Sequence, residues 1–260
     1  MSATSTPRAT WLMCTHREDE LLHRAIRSCL KQTMEDFEFL LVVNGSDVEE
    51  LVPALRQAYA YDDRVSVIGT PVRMLNFSLS LGLHIARAPF VARMDADDVA
   101  YPERLEKQLA FMESHVNVAV LGSSYDLIDG AGTIKGQVDL PTTDRGIRRA
   151  LRFRNPVCHP SVMLRRAPVL ELGGYLGGQN AEDYDLWARL TNNSQWKFAN
   201  LPQPLISYNV SPNGTARRSR SAYANVAGVQ LKQFLVTRDF GWLIGAFATV
   251  IRALFLAKRP

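Results

Sequence analysis

Between residues 10 and 94, short apolar runs alternate with amphipathic stretches, and this alternation restricts the fold more than any other feature of the chain. "TWLMC" (10–14), "FEFLLVV" (37–43), "RVSVIG" (64–69) and "FVARM" (90–94) read as strands. The second is apolar almost throughout, as a strand covered on both faces should be. Between them, residues 18–32 place Leu21, Leu22, Ala25, Ile26, Cys29 and Leu30 on one helical face. "LVPALRQAYA" reads as a second helix with Pro53 in its first turn, and 74–87 as a third. The pattern predicts an α/β fold: a mostly parallel central sheet flanked by helices, with right-handed crossovers. Ligands of such sheets gather at the carboxyl ends of the strands. Thr15-His16-Arg17, Asn44-Gly45-Ser46 and Asp95-Ala96-Asp97 all fall there.

The third of these ends poses a chemical problem. Asp95, Asp97 and Asp98 place three mutually repelling carboxylates directly after a buried strand, before a helix-like segment beginning at Pro102. Clustered hard oxygen ligands suit Mg²⁺ or Mn²⁺, which would offset the repulsion and could bridge to a diphosphate. Acids on a solvated loop before a helix N-terminus would look the same in sequence; their place at a strand end favours the metal.

After Gly122 the pattern changes. "SYDLIDGAGTIKGQ" reads as a hairpin turning near Asp129-Gly130, "HPSVMLRR" as a strand, and "EDYDLWARL" as the opening of a helix. A mixed α+β half is expected here. Taken alone, Glu182, Asp183 and Asp185 read as ordinary first-turn acids of that helix. His159, beside Pro160, is a candidate for the acceptor site or the metal shell.

"RMDADD" followed by "PERLEKQ" resembles the Asp-x-Asp region of the family 2 glycosyltransferases, inverting enzymes of the GT-A fold. "SCLKQTMEDFEFLLVVNGS", "NFSLSLGLHIARAPFVARMDADD", "NPVCHPSVMLRR" and "AEDYDLWARL" are similar to further segments of that family, in the same order, over roughly residues 8 to 210. The resemblance implies a metal-dependent, inverting transfer of one sugar from a nucleoside-diphosphate sugar to a hydroxyl of a glycan or lipid-linked acceptor. It implies a glycosyltransferase domain over 1–210, with a donor half (8–121) and an acceptor half (122–210), and a basic, apolar helical segment over 211–260. It places the metal-binding aspartate at Asp97, with Asp95 on the ribose or metal and Asp98 as a supporting contact. Cys14, Thr15, Arg17, Asn44 and Arg73 are the implied base and ribose contacts. Asp183 is the implied catalytic base, with Glu182 and Asp185 near acceptor hydroxyls. The family commonly has an aspartate where Asn44 stands; an amide oxygen can still accept the N3–H of uracil or thymine, so UDP- or dTDP-sugars are favoured. The Gln-x-x-Arg-Trp motif of processive members is not found after Asp183, where the nearest basic run is Arg217-Arg218-Ser219-Arg220, and this favours single-sugar addition.

Other readings fit less of the chain. "DADDV" matches the loose Asp-x-Asp of haloacid-dehalogenase-like phosphatases, but that motif follows a first strand, and here about ninety residues precede it. A non-catalytic sugar-nucleotide-binding domain would not need both Asp97 and Asp183. From residue 211 onward there are eight basic residues and one acid, Asp239, a net +7 against +4 for the whole chain. That tail alone does not argue for nucleic acid. Within it, residues 240–257 form an 18-residue apolar stretch with one charge, Arg252. As a helix this would extend about 27 Å, slightly short of a ~30 Å hydrocarbon core. The expectation is a helix at the inner membrane surface, with Lys232, Arg238, Lys258 and Arg259 near anionic head groups. Three widely spaced cysteines without metal spacing fit a reducing cytosol, and "MSATSTPRAT" has no apolar core of signal-peptide length, so the expected location is cytoplasmic and peripheral on the membrane.

Overall fold

The structure, a computed structural model, describes residues 6–178, 180–210 and 219–256, with the side chain of residue 256 left out. In chain order its elements are β1 (Ala9–Thr15), α1 (Glu20–Leu30), β2 (Phe37–Asn44), α2 (Val48–Ala58), β3 (Val65–Thr70), α3 (Leu75–Ile85), β4 (Phe90–Met94), β5 (Val99–Ala100), α4 (Arg104–Ser114), β6 (Val118–Ile128), β7 (Ile134–Val138), α5 (Asp144–Leu151), β8 (Met163–Arg165), α6 (Arg166–Glu171), α7 (Glu182–Leu190), β9 (Lys197–Asn209), α8 (Arg220–Thr237) and α9 (Phe240–Leu256). They form one sheet in the order β3-β2-β1-β4-β8-β6-β9-β5, with β7 pairing on β6.

The first four strands are parallel, as the alternation predicts. Trp11 and Met13 of β1 pack on one side with Phe39 and Leu41, while Leu12 packs on the other with Leu40 and Val42. Both faces of β1 and β2 are covered, which is why these two strands show little polar alternation. The chain winds outward from β1 to β2 and β3, then returns to place β4 on the other flank of β1. The carboxyl ends of β1 and β4 therefore open a crevice at the point where the strand order reverses.

Beyond β4 the sheet becomes mixed: β8 is antiparallel to β4 and β6, while β9 is parallel to β6. The β6–β7 hairpin turns where Gly132 N–H donates to Asp129 O (2.8 Å). "HPSVMLRR" is a strand only over Met163–Arg165; His159–Ser161 forms a single 3₁₀ turn. Pro53 is not in the first turn of its helix. That helix begins at Val48, where Glu49 and Glu50 complement its N-terminus, so Pro53 sits one turn in and removes one backbone bond.

"PERLEKQ" explains how the β4 end is held. Arg104 is fully buried against Trp11, its guanidinium 4.7 Å from the ring centre, and donates to the Arg93 carbonyl at 2.7 Å. Burial pushes Arg104 down to about 10. Gln108 accepts from Arg104 Nε (3.0 Å) and donates to the Ser161 carbonyl (2.8 Å), tying β4 to the 3₁₀ turn.

α8 and α9 dock on the second half of the molecule, with Val226 and Trp242 packed in the core cluster that holds Trp187. Gln230 Nε2 donates to the Arg152 carbonyl (2.9 Å), and Arg152 pairs with Asp239 (2.6 Å). The opposite face of α9 leaves Phe240, Ile244, Phe247, Ile251, Leu254 and Phe255 exposed. Among the described residues, no helix is long and apolar enough to cross a membrane. Arg252 Nη1 donates to the Phe153 carbonyl (2.9 Å), which holds it against the protein body. Arg217, Arg218, Lys258 and Arg259 lie outside the described residues.

Candidate active site

Two clefts meet at the carboxyl edge of the parallel strands, and Asp95 and Leu75 line both. The first, about 360 Å³, is built from the ends of β1, β2 and β4 and the loop into α3. Cys14, Thr15, Arg17, Asn44, Arg73, Asp95 and Asp97 all face it, so every sequence-predicted donor contact converges there. The Thr15 hydroxyl donates to the Arg17 carbonyl (2.7 Å), fixing the turn after β1, and Arg17 pairs with Asp19 (2.7 Å). Burial pushes the Cys14 thiol up to about 12, so it acts as a packed, protonated wall. Gly45, at φ +116°, adopts a backbone that side chains disfavour and lies against the Arg73 side chain.

The acidic loop is tightly drawn together. One carboxylate oxygen from each of Asp95, Asp97 and Asp98 lies within 4.8 Å of the others. Asp95 is salt-bridged to Arg93, which is itself buried. Asp98 is buried; it accepts from Asn209 N–H (2.8 Å), while its Oδ2 has no hydrogen-bond partner. Burial, and then the charge of Asp95, hold both Asp97 and Asp98 above the usual carboxylate range. Three close carboxylates, one of them buried with an unpartnered oxygen, fit a small divalent cation. His159 is not part of this cluster.

The second cleft, about 630 Å³, is lined by the acceptor-side residues. Asp183, half-buried at the N-terminus of α7, accepts from Asn155 Nδ2 at 2.5 Å through Oδ2 and from Tyr184 N–H at 2.7 Å through Oδ1. Glu182 lines the same cleft, and burial, then the charge of Asp183, raise its carboxyl. His159 also lines it, with Nε2 3.0 Å from the Tyr175 hydroxyl; burial, then Arg93, lower it well below the usual imidazole range and keep the ring neutral. Asp185 lies elsewhere. It pairs with Arg189 (2.7 Å), whose Nη2 donates to the Gly174 carbonyl, so it braces the turn before α7 and does not line the cleft.

Sequence reasoning missed Asn155, Tyr125 and Tyr208 in this cleft. Asn155 opens "NPVCHP", but its contact with Asp183 spans 28 residues and has no local signal. Tyr125 of β6 and Tyr208 of β9 form a tilted ring pair with centroids 5.6 Å apart. In sequence they read as ordinary β-strand tyrosines. In the cleft they supply two aromatic rings, a side-chain type that packs on apolar patches of a ligand.

The family model described as Glycosyl transferase family 2 matches residues 10–173. The chain is 34% identical over 230 residues to the O-antigen biosynthesis glycosyltransferase WbnJ of Escherichia coli, covering 87% of this chain and 89% of that protein. It is 26% identical over 221 residues to the UDP-Gal:alpha-D-GlcNAc-diphosphoundecaprenol beta-1,3-galactosyltransferase of Escherichia coli, covering 84% and 80%. In structure it resembles residues 1–349 of S. aureus TarS in complex with UDP-GlcNAc, with a TM-score of 0.71 at 16% identity, covering 96% of this chain and 73% of that one.

Proposed function

Because the chain belongs to glycosyl transferase family 2, we propose that its two clefts divide one reaction between them: donor in the first, acceptor in the second, with Asp95 at the junction. The enzyme is an inverting nucleotide-sugar glycosyltransferase of cell-surface polysaccharide synthesis. The observation that carries the division is that Asp95 and Asp183 line one continuous cleft while Asp95 and Asn44 line the other.

In the proposed reaction the acceptor hydroxyl oxygen attacks the anomeric carbon of the donor sugar. Its proton passes to Asp183, and the bond from that carbon to the diphosphate oxygen breaks, its electrons leaving with the diphosphate. Asn155 and the Tyr184 amide fix the carboxylate in orientation. A Mn²⁺ or Mg²⁺ held by Asp95, Asp97 and Asp98 would neutralise charge on the leaving diphosphate. Asn44, Thr15, Arg17 and Arg73 would hold the nucleoside, with UDP or dTDP as the favoured carrier. The name of the E. coli galactosyltransferase, which specifies a UDP-sugar and a diphosphoundecaprenol acceptor, supports a UDP donor and a lipid-linked acceptor here. The Tyr125–Tyr208 pair suits the apolar face of an acceptor sugar.

An acceptor of that kind sits at a membrane, and the exposed face of α9 supports contact with the inner surface of the cytoplasmic membrane. Lys232 and Arg238 are exposed beside it, and Asp239, the single acid of α8 and α9 and the turn between them, is paired with Arg152. An apolar face with a cationic rim suits anionic head groups.

Thermal-shift measurement with UDP-, dTDP- and GDP-sugars in Mn²⁺ tests the donor assignment. A true donor at a hundred times its Kd adds about 2.7 kcal/mol. A protein stabilised by none of them, or equally by inorganic diphosphate, would contradict the nucleoside site.

A further inference from the structure

Asn44 ends β2 at the floor of the first cleft, where either end of its amide could in principle face a ligand. The packing around it allows one orientation. Asn44 lies 2.9 Å from the hydroxyl of Ser78, which is fully buried in the first turn of α3. Ser78 has a single hydroxyl proton, and this donates to the Met74 carbonyl at 3.0 Å. Its oxygen must therefore accept from Asn44, which puts Nδ2 on the serine. Turning the amide over would satisfy Asn44 Oδ1 only by taking that proton from Met74, and would exchange two hydrogen bonds for one. With Nδ2 committed, Oδ1 is the end left for the cleft, and it accepts no hydrogen bond from any described residue.

We propose that Ser78 is a specificity-positioning residue. By accepting from Asn44 Nδ2 it holds Oδ1 toward the cleft as an acceptor, so that the site selects a base edge offering a ring N–H. This rests on the reading of the first cleft as the donor's nucleoside site. Uracil and thymine carry such a donor at N3, whereas cytosine presents a lone pair there and would face Oδ1 acceptor to acceptor. An aspartate at this position would be an acceptor at both oxygens and would need no such lock. The asparagine needs one, because a rotated amide would present N–H and reverse the preference.

The test is calorimetric affinity for UDP and CDP in Mn²⁺, which needs neither acceptor nor turnover. Wild type should prefer UDP by roughly ten- to a hundred-fold, the cost of leaving one buried polar contact unmade. Ser78→Ala removes the lock, and the ratio should fall to within about three-fold through weaker UDP and stronger CDP binding. Ser78→Cys, which keeps the volume but accepts weakly, should do the same. A general loss of shape would weaken both nucleotides together and leave the ratio unchanged. In an Asn44→Asp background, adding Ser78→Ala should not move the ratio, since both carboxylate oxygens accept. A full UDP preference in Ser78→Ala or Ser78→Cys, or no preference in wild type, overturns the assignment of Ser78 while leaving the donor site standing. If wild type binds neither nucleotide, the donor reading of the cleft fails with it.

Discussion

Asn155 Nδ2 donates to Asp183 Oδ2 across 28 residues of sequence, joining the loop after α5 to the first turn of α7. The bond points the carboxylate of Asp183 at the cleft that also contains Asp95. Asn155→Ala should therefore lower kcat by about ten-fold, through misorientation of the base, and leave UDP affinity unchanged. Parallel loss of kcat and UDP binding would mean that Asn155 supports the fold and not the base.

The acidic loop predicts a metal-dependent ligand response. Mn²⁺ should raise the Tm of wild type and support turnover, and Asp97→Ala should lose both. The unfolding free energy of that variant in EDTA should match wild type to within the ~0.5 kcal/mol expected of a loop substitution outside the core. Turnover undiminished by EDTA would remove the metal from the account.

Glu182 predicts a pH-dependent stability. Burial and the neighbouring Asp183 raise its carboxyl in the folded protein. The folded state then binds more protons than the unfolded chain between the ordinary carboxylate value, about 4, and the raised one. This contribution is fully present below about pH 4 and is lost as pH rises through the folded value. Glu182→Gln should accordingly raise Tm at pH 8, and the gain should vanish near pH 4. A variant less stable than wild type at pH 8 would contradict this.

The exposed face of α9 predicts salt-sensitive membrane binding. Full-length protein should sediment with phosphatidylglycerol liposomes and be released by high salt or alkaline carbonate. Phe247→Asp with Phe255→Asp changes two residues that are 64% and 78% exposed, so it should abolish sedimentation without altering UDP affinity. Retention through carbonate would indicate a spanning segment, and a wild type that never sediments would remove the membrane contact.

Much of the donor side was legible in sequence because its signals are local. Each of the first four strands is a mainly apolar run, and each predicted donor contact lies at a strand end or within three residues of one. The acceptor side was less legible because its geometry is made by long-range contacts. Asn155 meets Asp183, and Tyr125 meets Tyr208, only after β6, β8 and β9 have paired. Asp185 and Asp183 are equivalent in sequence as first-turn acids, and only the position of Arg189 one turn later separates them. Nothing local in "PERLEKQ" marks Arg104 and Gln108 as buried, yet both are fully buried.

The most direct test of the central claim is to compare wild type with Asp183→Asn in two measurements on the same preparations: Kd for UDP in Mn²⁺, and UDP release from the UDP-sugar that stabilises wild type most, in the presence of a lipid-linked acceptor fraction. The account predicts an unchanged Kd and a rate lowered ~10²–10⁴-fold, the usual cost of losing a general base. A variant that releases UDP within a few-fold of the wild-type rate would contradict it.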